Sequence, residues 1–148
     1  MGQYWFPVNL TKKEFIAPAT FDTGVKLIEQ VGAWPGTASA LVVLCAAMPE
    51  PRGGGDLQPH PVIGRWAGDR IALVGDYAED SDLPAEFQAS TIYRKCRDGE
   101  WKDVSAEVRE VLEREFGGCF AREGPPRVVH TFAADLVVVG RGGAEKTS

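Results

Sequence analysis

Five carboxylates, Asp76, Glu79, Asp80, Asp82 and Glu86, follow one another within eleven residues with no basic residue among them. Carboxylates serve as general acids or bases and as hard oxygen ligands, so a hydrolytic centre would be sought here, on Asp76 and Asp80 first. The loop lacks the D-x-[DN]-x-[DN]-G spacing of an EF-hand. Asp69 and Asp76 cannot share an ion, because an extended Arg70–Gly75 strand holds them roughly 23 Å apart. Asp69 reads as a turn residue and Asp76 as a strand terminator, and no metal site is expected, although one combining Asp76 with Asp80 or Asp82 stays open.

The other groups able to do chemistry are three thiols and two imidazoles. Cys96, flanked by Lys95 and Arg97, is the cysteine whose pKa its neighbours would lower, and so the candidate nucleophile. Cys45 reads as a small core residue of an apolar helix. His60 stands between Pro59 and Pro61 and is expected to be exposed. His130 alternates with Val129 and Thr131 in a strand-like run and is the candidate base, against the plainer reading of a packed or solvated strand residue. The run Arg52–Asp56, RGGGD, could offer amides to a phosphate, but it follows a helix and has no Gly-Lys-Ser/Thr ending; a flexible loop, or a lid over a pocket, is the better reading. There is no G-x-S-x-G elbow, no CxxC pair and no zinc spacing.

Aromatic side chains are more plentiful than catalytic ones. Four Trp and three Tyr are many for 148 residues, and Trp34 before Pro35 and Trp66 beside a turn stand where large rings border grooves. With Tyr77 and Asp69 they form the binding candidates.

The elements that must position these residues follow from punctuation and periodicity. Tyr4–Asn9 and Glu14–Ala17 flank the polar Leu10–Lys13 turn as an opening hairpin, which places Pro7 at a sheet edge. Val25, Ile28 and Val31 predict a short amphipathic helix from Asp22 or Thr23 to Gly32. Thr37 caps a buried helix that runs to about Met48 and stops at Pro49. Pro49–Pro61 is a loop. Gly64–Asp80, GRWAGDRIALVGDYAED, reads as a hairpin turning at Gly68-Asp69, with Trp66 opposite Ile71. Ala89–Cys96 fits strand or helix. Ser105 caps an amphipathic helix that buries Val108, Val111, Leu112 and Phe116, turns Glu107, Glu110 and Glu113 outward, and ends at Gly117-Gly118. Val128–Phe132 and Leu136–Val139 are β-branched strands before a polar tail at 141–148.

Elements of both kinds without strict βαβ alternation predict one α+β domain over residues 1–140, a largely antiparallel sheet with about three helices packed on it. Apolar residues at 44%, charged residues at 25% and a net charge of −5 describe an ordinary globular chain and disfavour non-specific nucleic-acid binding. The longest apolar stretch is too short for a membrane span, no secretory signal is visible, and an odd number of unpaired cysteines fits a reducing, cytoplasmic setting.

The segments MGQYWFPVNLTKKEFI, GRWAGDRIALVGDYAED and KDVSAEVREVLE, in that order, resemble a family of short uncharacterised bacterial and phage-associated proteins. The resemblance implies a single cytoplasmic domain and transfers no site. The expectation is therefore a binding or protein-interaction module for a protein or small molecule, with exposed strand edges or aromatic patches leaving a homo-oligomer open. The alternative is a hydrolase that uses the 76–86 carboxylates under a 52–56 lid. No cofactor is named by the sequence.

Overall fold

In chain order the elements are β1 (Trp5–Asn9), β2 (Glu14–Phe15), β3 (Ala33–Trp34), α1 (Thr37–Cys45), β4 (Ile71–Gly75), α2 (Ala89–Arg97), β5 (Lys102–Asp103), α3 (Ser105–Glu115), β6 (Arg127–His130), β7 (Leu136–Val139) and β8 (Glu145–Thr147). The computed structural model describes residues 2–117 and, beyond them, the backbone of β6, β7 and β8. The fold is α+β. One sheet has the order β4-β1-β2-β5, antiparallel except for the β2–β5 pair, and a second has the order β3-β6-β7-β8.

β1 and β2 form the expected opening hairpin, with Val8 opposite Phe15 and Asn9 opposite Glu14. Lys13 takes the left-handed conformation at φ 57°, and Asn9 Oδ1 accepts the Lys12 amide at 2.8 Å, which closes the turn. Pro7 is not at an edge, because β1 lies between β4 and β2. It is tolerated because the Pro7 carbonyl meets the Ile16 amide at 3.1 Å just past the end of β2. The missing N–H falls on that same side, where the regular ladder has already stopped.

The hairpin expected at Gly64–Asp80 forms only in its second arm. β4 pairs with β1 over five residues, from Trp5 opposite Gly75 to Asn9 opposite Ile71. The first arm is instead a series of turns, whose Gly64 and Trp66 amides donate to the Val43 and Leu44 carbonyls at 2.9 Å each. Those carbonyls belong to the last turn of α1, where no intrahelical donor exists, so the segment satisfies a helix end rather than a strand neighbour. Gly64 is required for this approach: its φ is +73° and a Cβ there would lie 2.4 Å from the Ala46 carbonyl oxygen.

The amphipathic helix expected over 22–32 is replaced by a single 3₁₀ turn, Ile28–Val31, with another, Pro18–Phe21, just ahead of that segment. Ile28 and Val31 are exposed, and Gln30 is the buried residue, its Nε2 donating to the Trp5 carbonyl at 3.0 Å. α1 begins at Thr37, with Gly36 before it donating to Ser39 Oγ, and ends at Cys45. Cys45 is exposed rather than in the core, since it is the last residue of the helix and not in its middle. Ala89–Arg97 is helical and buries Ala89, Ile92 and Cys96 on one stripe. Ser105 is the first residue of α3, not its cap. Asp103 Oδ1 takes the Ser105 amide at 2.8 Å, and the Ser105 hydroxyl accepts the Ala17 amide at 2.7 Å, pinning α3 to the end of the hairpin.

The sheet carries helices on both faces. Val8, Leu10, Phe15 and Val74 pack with Ile92 and Cys96 of α2 and with Trp101. On the other face, Ile16, Ile71 and Trp66 pack with Ala40, Val43 and Leu44 of α1 and Val108, Val111 and Leu112 of α3. β7 matches the run Leu136–Val139, and β6 covers Arg127–His130 of the region expected as Val128–Phe132, whose Thr131 and Phe132 lie outside the described residues. Within the expected polar tail, Glu145–Thr147 pair with β7 as β8.

Candidate functional site

The helix that is apolar on nearly every side does not bury every side. Ala40, Val43 and Leu44 of α1 face the core, whereas Val42 is 69% exposed. Its outer face and the end of α3 form two walls of a groove of about 410 Å³, lined by Trp34, Val42, Leu57, Leu112 and Phe116 with Gly55 at the rim. Trp34 is 63% exposed and is held by an edge-to-face contact with Phe116, ring centroids 4.8 Å apart at 74°. β3 fixes its backbone by pairing Trp34 with Val128 of β6, and the Trp34–Pro35 peptide bond is cis.

The glycine run borders this groove and is tied down at both ends. Asp56 Oδ2 accepts the amides of Arg52 at 2.7 Å and Gly53 at 3.0 Å, which hold its carboxyl below the ordinary carboxylate value. Two of the amides a phosphate would use, those of Arg52 and Gly53, are thus already given to the loop's own carboxylate. Arg114 of α3 donates to the carbonyls of Gln58 at 2.6 Å and Pro59 at 3.3 Å. Gly53 and Gly54 have open space where a Cβ would stand, while Gly55, at φ +90°, needs to be glycine. Gly55 and Leu57 bring this loop into the lining of the groove.

The other sequence-nominated residues lie elsewhere. Trp66 is fully buried and presents no surface; its indole donates to Glu14 Oε1 at 3.0 Å. Asp69 accepts Asn9 Nδ2 at 2.8 Å and the Lys12 ammonium, and these two donors, Lys12 the stronger, hold its carboxyl below the ordinary range. Tyr77 is exposed, outside the groove. Cys96 is not an activated thiol. Burial in the α2 interface, with Asp103 nearby, pushes it up to about 12; neighbours one residue away on a helix point to other faces, and Arg97 turns to Asp98 at 3.1 Å. In the backbone ladder His130 stands opposite Leu136; its side chain, like Cys119, lies outside the described residues. His60 is half-buried, its Nδ1 accepting the Val62 amide at 3.1 Å and its Nε2 standing 3.5 Å from Glu110.

The acidic loop's carboxylates are engaged in holding the chain. Asp76 Oδ1 accepts the Tyr4 amide at 2.9 Å, Asp82 Oδ2 the Glu79 amide at 2.9 Å, and Glu86 pairs with Arg70 at 3.2 Å. Asp80 Oδ1 accepts both the hydroxyl of Ser90 at 2.7 Å and its amide at 3.0 Å, at the start of α2. The cavity that Asp82 borders, about 290 Å³ beside β4, contains none of the 52–56 residues, and the groove under Gly55 contains none of the acidic loop. A smaller cavity of about 280 Å³ is lined by His60, Arg65, Lys102 and Glu107 together with Pro61, Val62 and Val104; Glu107, expected to point outward, keeps one carboxylate oxygen buried without a partner. Among the described residues no three His, Cys, Asp or Glu side chains gather as a metal site, and no helix is long and apolar enough to cross a membrane.

Of the groove residues, only Trp34 and the glycine loop are marked by the sequence as binding elements. The signal for Val42 was the surplus of apolar residues on α1, more than one buried face can absorb. No protein-family model, curated protein or solved structure matches this chain.

Proposed function

We propose that this protein is a cytoplasmic, non-catalytic binding module that captures a small, largely apolar ligand in the groove between α1 and α3. The observation that carries the reading is Trp34: a large ring, mostly exposed, braced by Phe116 and backed by Val42, Leu57 and Leu112. A groove of about 410 Å³ has the size and apolar lining of small-molecule sites, which add a few polar groups for orientation. Ser39 supplies a hydroxyl, and the anchored 52–56 loop forms the rim that closes over a bound molecule. An aromatic ring of fixed orientation loses little freedom when a ligand stacks on it, which favours affinity.

Ligand-observed NMR with a library of small aromatic and aliphatic compounds tests this reading. Binding that Trp34→Ala and Val42→Glu each abolish, while Tyr77→Ala leaves it intact, is the expected result. Hits that survive both groove substitutions would place recognition elsewhere and remove the proposal.

A further inference from the structure

We propose that two copies of this chain pair antiparallel through β4, with Leu73 opposite Leu73 of the partner subunit. β4 is the edge of its sheet. The bonds from Leu10 N to the Arg70 carbonyl at 2.8 Å and from Asp76 N to the Tyr4 carbonyl at 2.9 Å set the phase of the ladder. Arg70, Ala72, Val74 and Asp76 turn their peptide groups toward β1, so Ile71, Leu73 and Gly75 turn theirs outward. Among the described residues the N–H and C=O groups of Ile71 and Leu73 have no partner; the Gly75 carbonyl takes the Ala78 amide at 3.2 Å. Natural edges are usually guarded by a charge, a proline or a bulge, and the stretch Ile71–Gly75 has none of these. Leu73 is exposed, and the cavity of about 290 Å³ lies along this strand beside Leu73, Val74 and Gly75.

The occupant is identified by the charges that bracket the strand. With a twofold axis through the Leu73 pair, Ile71 faces the partner's Gly75, Ala72 faces the partner's Val74, and Arg70 faces the partner's Asp76. Symmetry repeats that opposite-charge pair at the other end. Residues 70, 72, 74 and 76 occupy the non-hydrogen-bonded positions of the new ladder, where facing side chains come closest. A slip of two residues in either direction loses both charge pairs, so they select one register. The sequence is thus complementary to itself, as an isologous interface requires.

Sedimentation over a concentration series, with charge-reversed variants, tests the pairing. The native chain is expected to dimerise reversibly. Arg70→Glu and Asp76→Arg should each weaken self-association by about tenfold or more, since each places like charges at both ends. An equimolar mixture of the two variants should restore the dimer, because every facing pair is then of opposite sign. Asp76 also holds the Tyr4 amide and Arg70 also pairs with Glu86 of its own chain at 3.2 Å, so cross-linking at Leu73 supplies a readout that leaves both untouched. In a Cys45→Ser, Cys119→Ser background, Leu73→Cys should form an intermolecular disulfide under mild oxidation, since hydrogen-bonded strand pairs place Cα atoms about 5.5 Å apart. Arg70→Cys, which faces Asp76 rather than itself, should not. A chain that stays monomeric at every concentration, cross-links equally at both positions, or takes up an unrelated extended peptide at this edge instead would overturn the proposal.

Discussion

Trp66 donates its indole N–H to Glu14 Oε1 at 3.0 Å inside the core, and this bond joins the turn that closes α1 to the second strand of the opening hairpin. Glu14 is itself buried and also accepts Arg65 Nε on both oxygens at 3.0 Å and Arg65 Nη2 on one. The carboxylate thus collects both residues of the 65–66 pair, the ring from within the core and the guanidinium from its half-open side. Such an arrangement fixes where a segment without regular structure must lie.

Burial by itself would raise the Glu14 pKa. Hydrogen bonds from Arg65 and Trp66 and the charges of Arg65 and Lys102 together outweigh it and hold the carboxyl below its ordinary value of 4.5. The folded state therefore binds this proton more weakly than the unfolded chain. Its contribution to stability is complete above the unfolded value and is lost as pH falls through the lower folded one. Glu14→Ala should cost about 3–5 kcal/mol, because it strands a guanidinium and an indole N–H that have been taken from water. Urea denaturation across the acid range checks both statements: the variant should be weaker at neutral pH, and its stability should fall less steeply on acidification than that of the native chain.

The two tryptophans nominated as anchors should separate cleanly. Trp66 is fully buried among Val43, Leu44, Val104 and Val108, so Trp66→Ala should destabilise by about 3–5 kcal/mol. Trp34→Ala removes an exposed ring whose main contact is Phe116 and should change stability by about 1 kcal/mol or less. Acrylamide quenching of tryptophan fluorescence distinguishes them as well. Trp34→Phe should remove a large share of the quenchable emission, half-exposed Trp5 retaining the rest, and Trp66→Phe should leave it nearly unchanged.

Cys45 and Cys96 differ in access and in ionisation. With Cys96 buried and pushed up to about 12, only about one molecule in ten thousand carries its thiolate at about pH 8. Iodoacetamide should therefore alkylate exposed Cys45 first, although burial raises its pKa too. Cys96 should become reactive only on unfolding. Peptide mapping after timed labelling reads this directly, and rapid modification of native Cys96 would refute the packing described for α2.

Local patterns were legible where the deciding interaction is local. The β1–β2 turn could be read from its own residues because Asn9 and Lys13 make it. The core stripe of α3 likewise follows from the spacing of Val108, Val111 and Leu112. The first arm of the Gly64–Asp80 hairpin failed because its amides are claimed by the end of α1, some twenty residues earlier, and no periodicity encodes that claim. Val25, Ile28 and Val31 gave a helix pattern, yet the buried group in that segment is Gln30, fixed by the Trp5 carbonyl. The groove was half visible. Trp34 and the glycine loop stand out in sequence, whereas Leu112 and Phe116 read as ordinary core and Leu57 as part of a loop until the fold sets them side by side. Cys96 was misjudged for a related reason: adjacency in sequence to Lys95 and Arg97 is not adjacency in space on a helix.

The acidic loop offers a sharper separation between charge and structure. Asp80 Oδ1 holds both the amide and the hydroxyl of Ser90, and these bonds, the hydroxyl first, draw its carboxyl below the ordinary carboxylate value. What α2 needs at this point is an acceptor for an N-terminal amide that lacks an intrahelical partner, and a neutral amide oxygen can serve. Asp80→Asn should therefore lower the melting temperature only slightly, and Asp80→Ala should lower it more. The depressed pKa adds a pH signature: the native chain should lose this contribution on acidification through the folded value, and Asp80→Asn should not. Thermal melts of the three proteins at neutral and acid pH decide it. If Asp80→Asn proves as damaging as Asp80→Ala at neutral pH, the negative charge itself is required, and the loop then holds more than a helix cap.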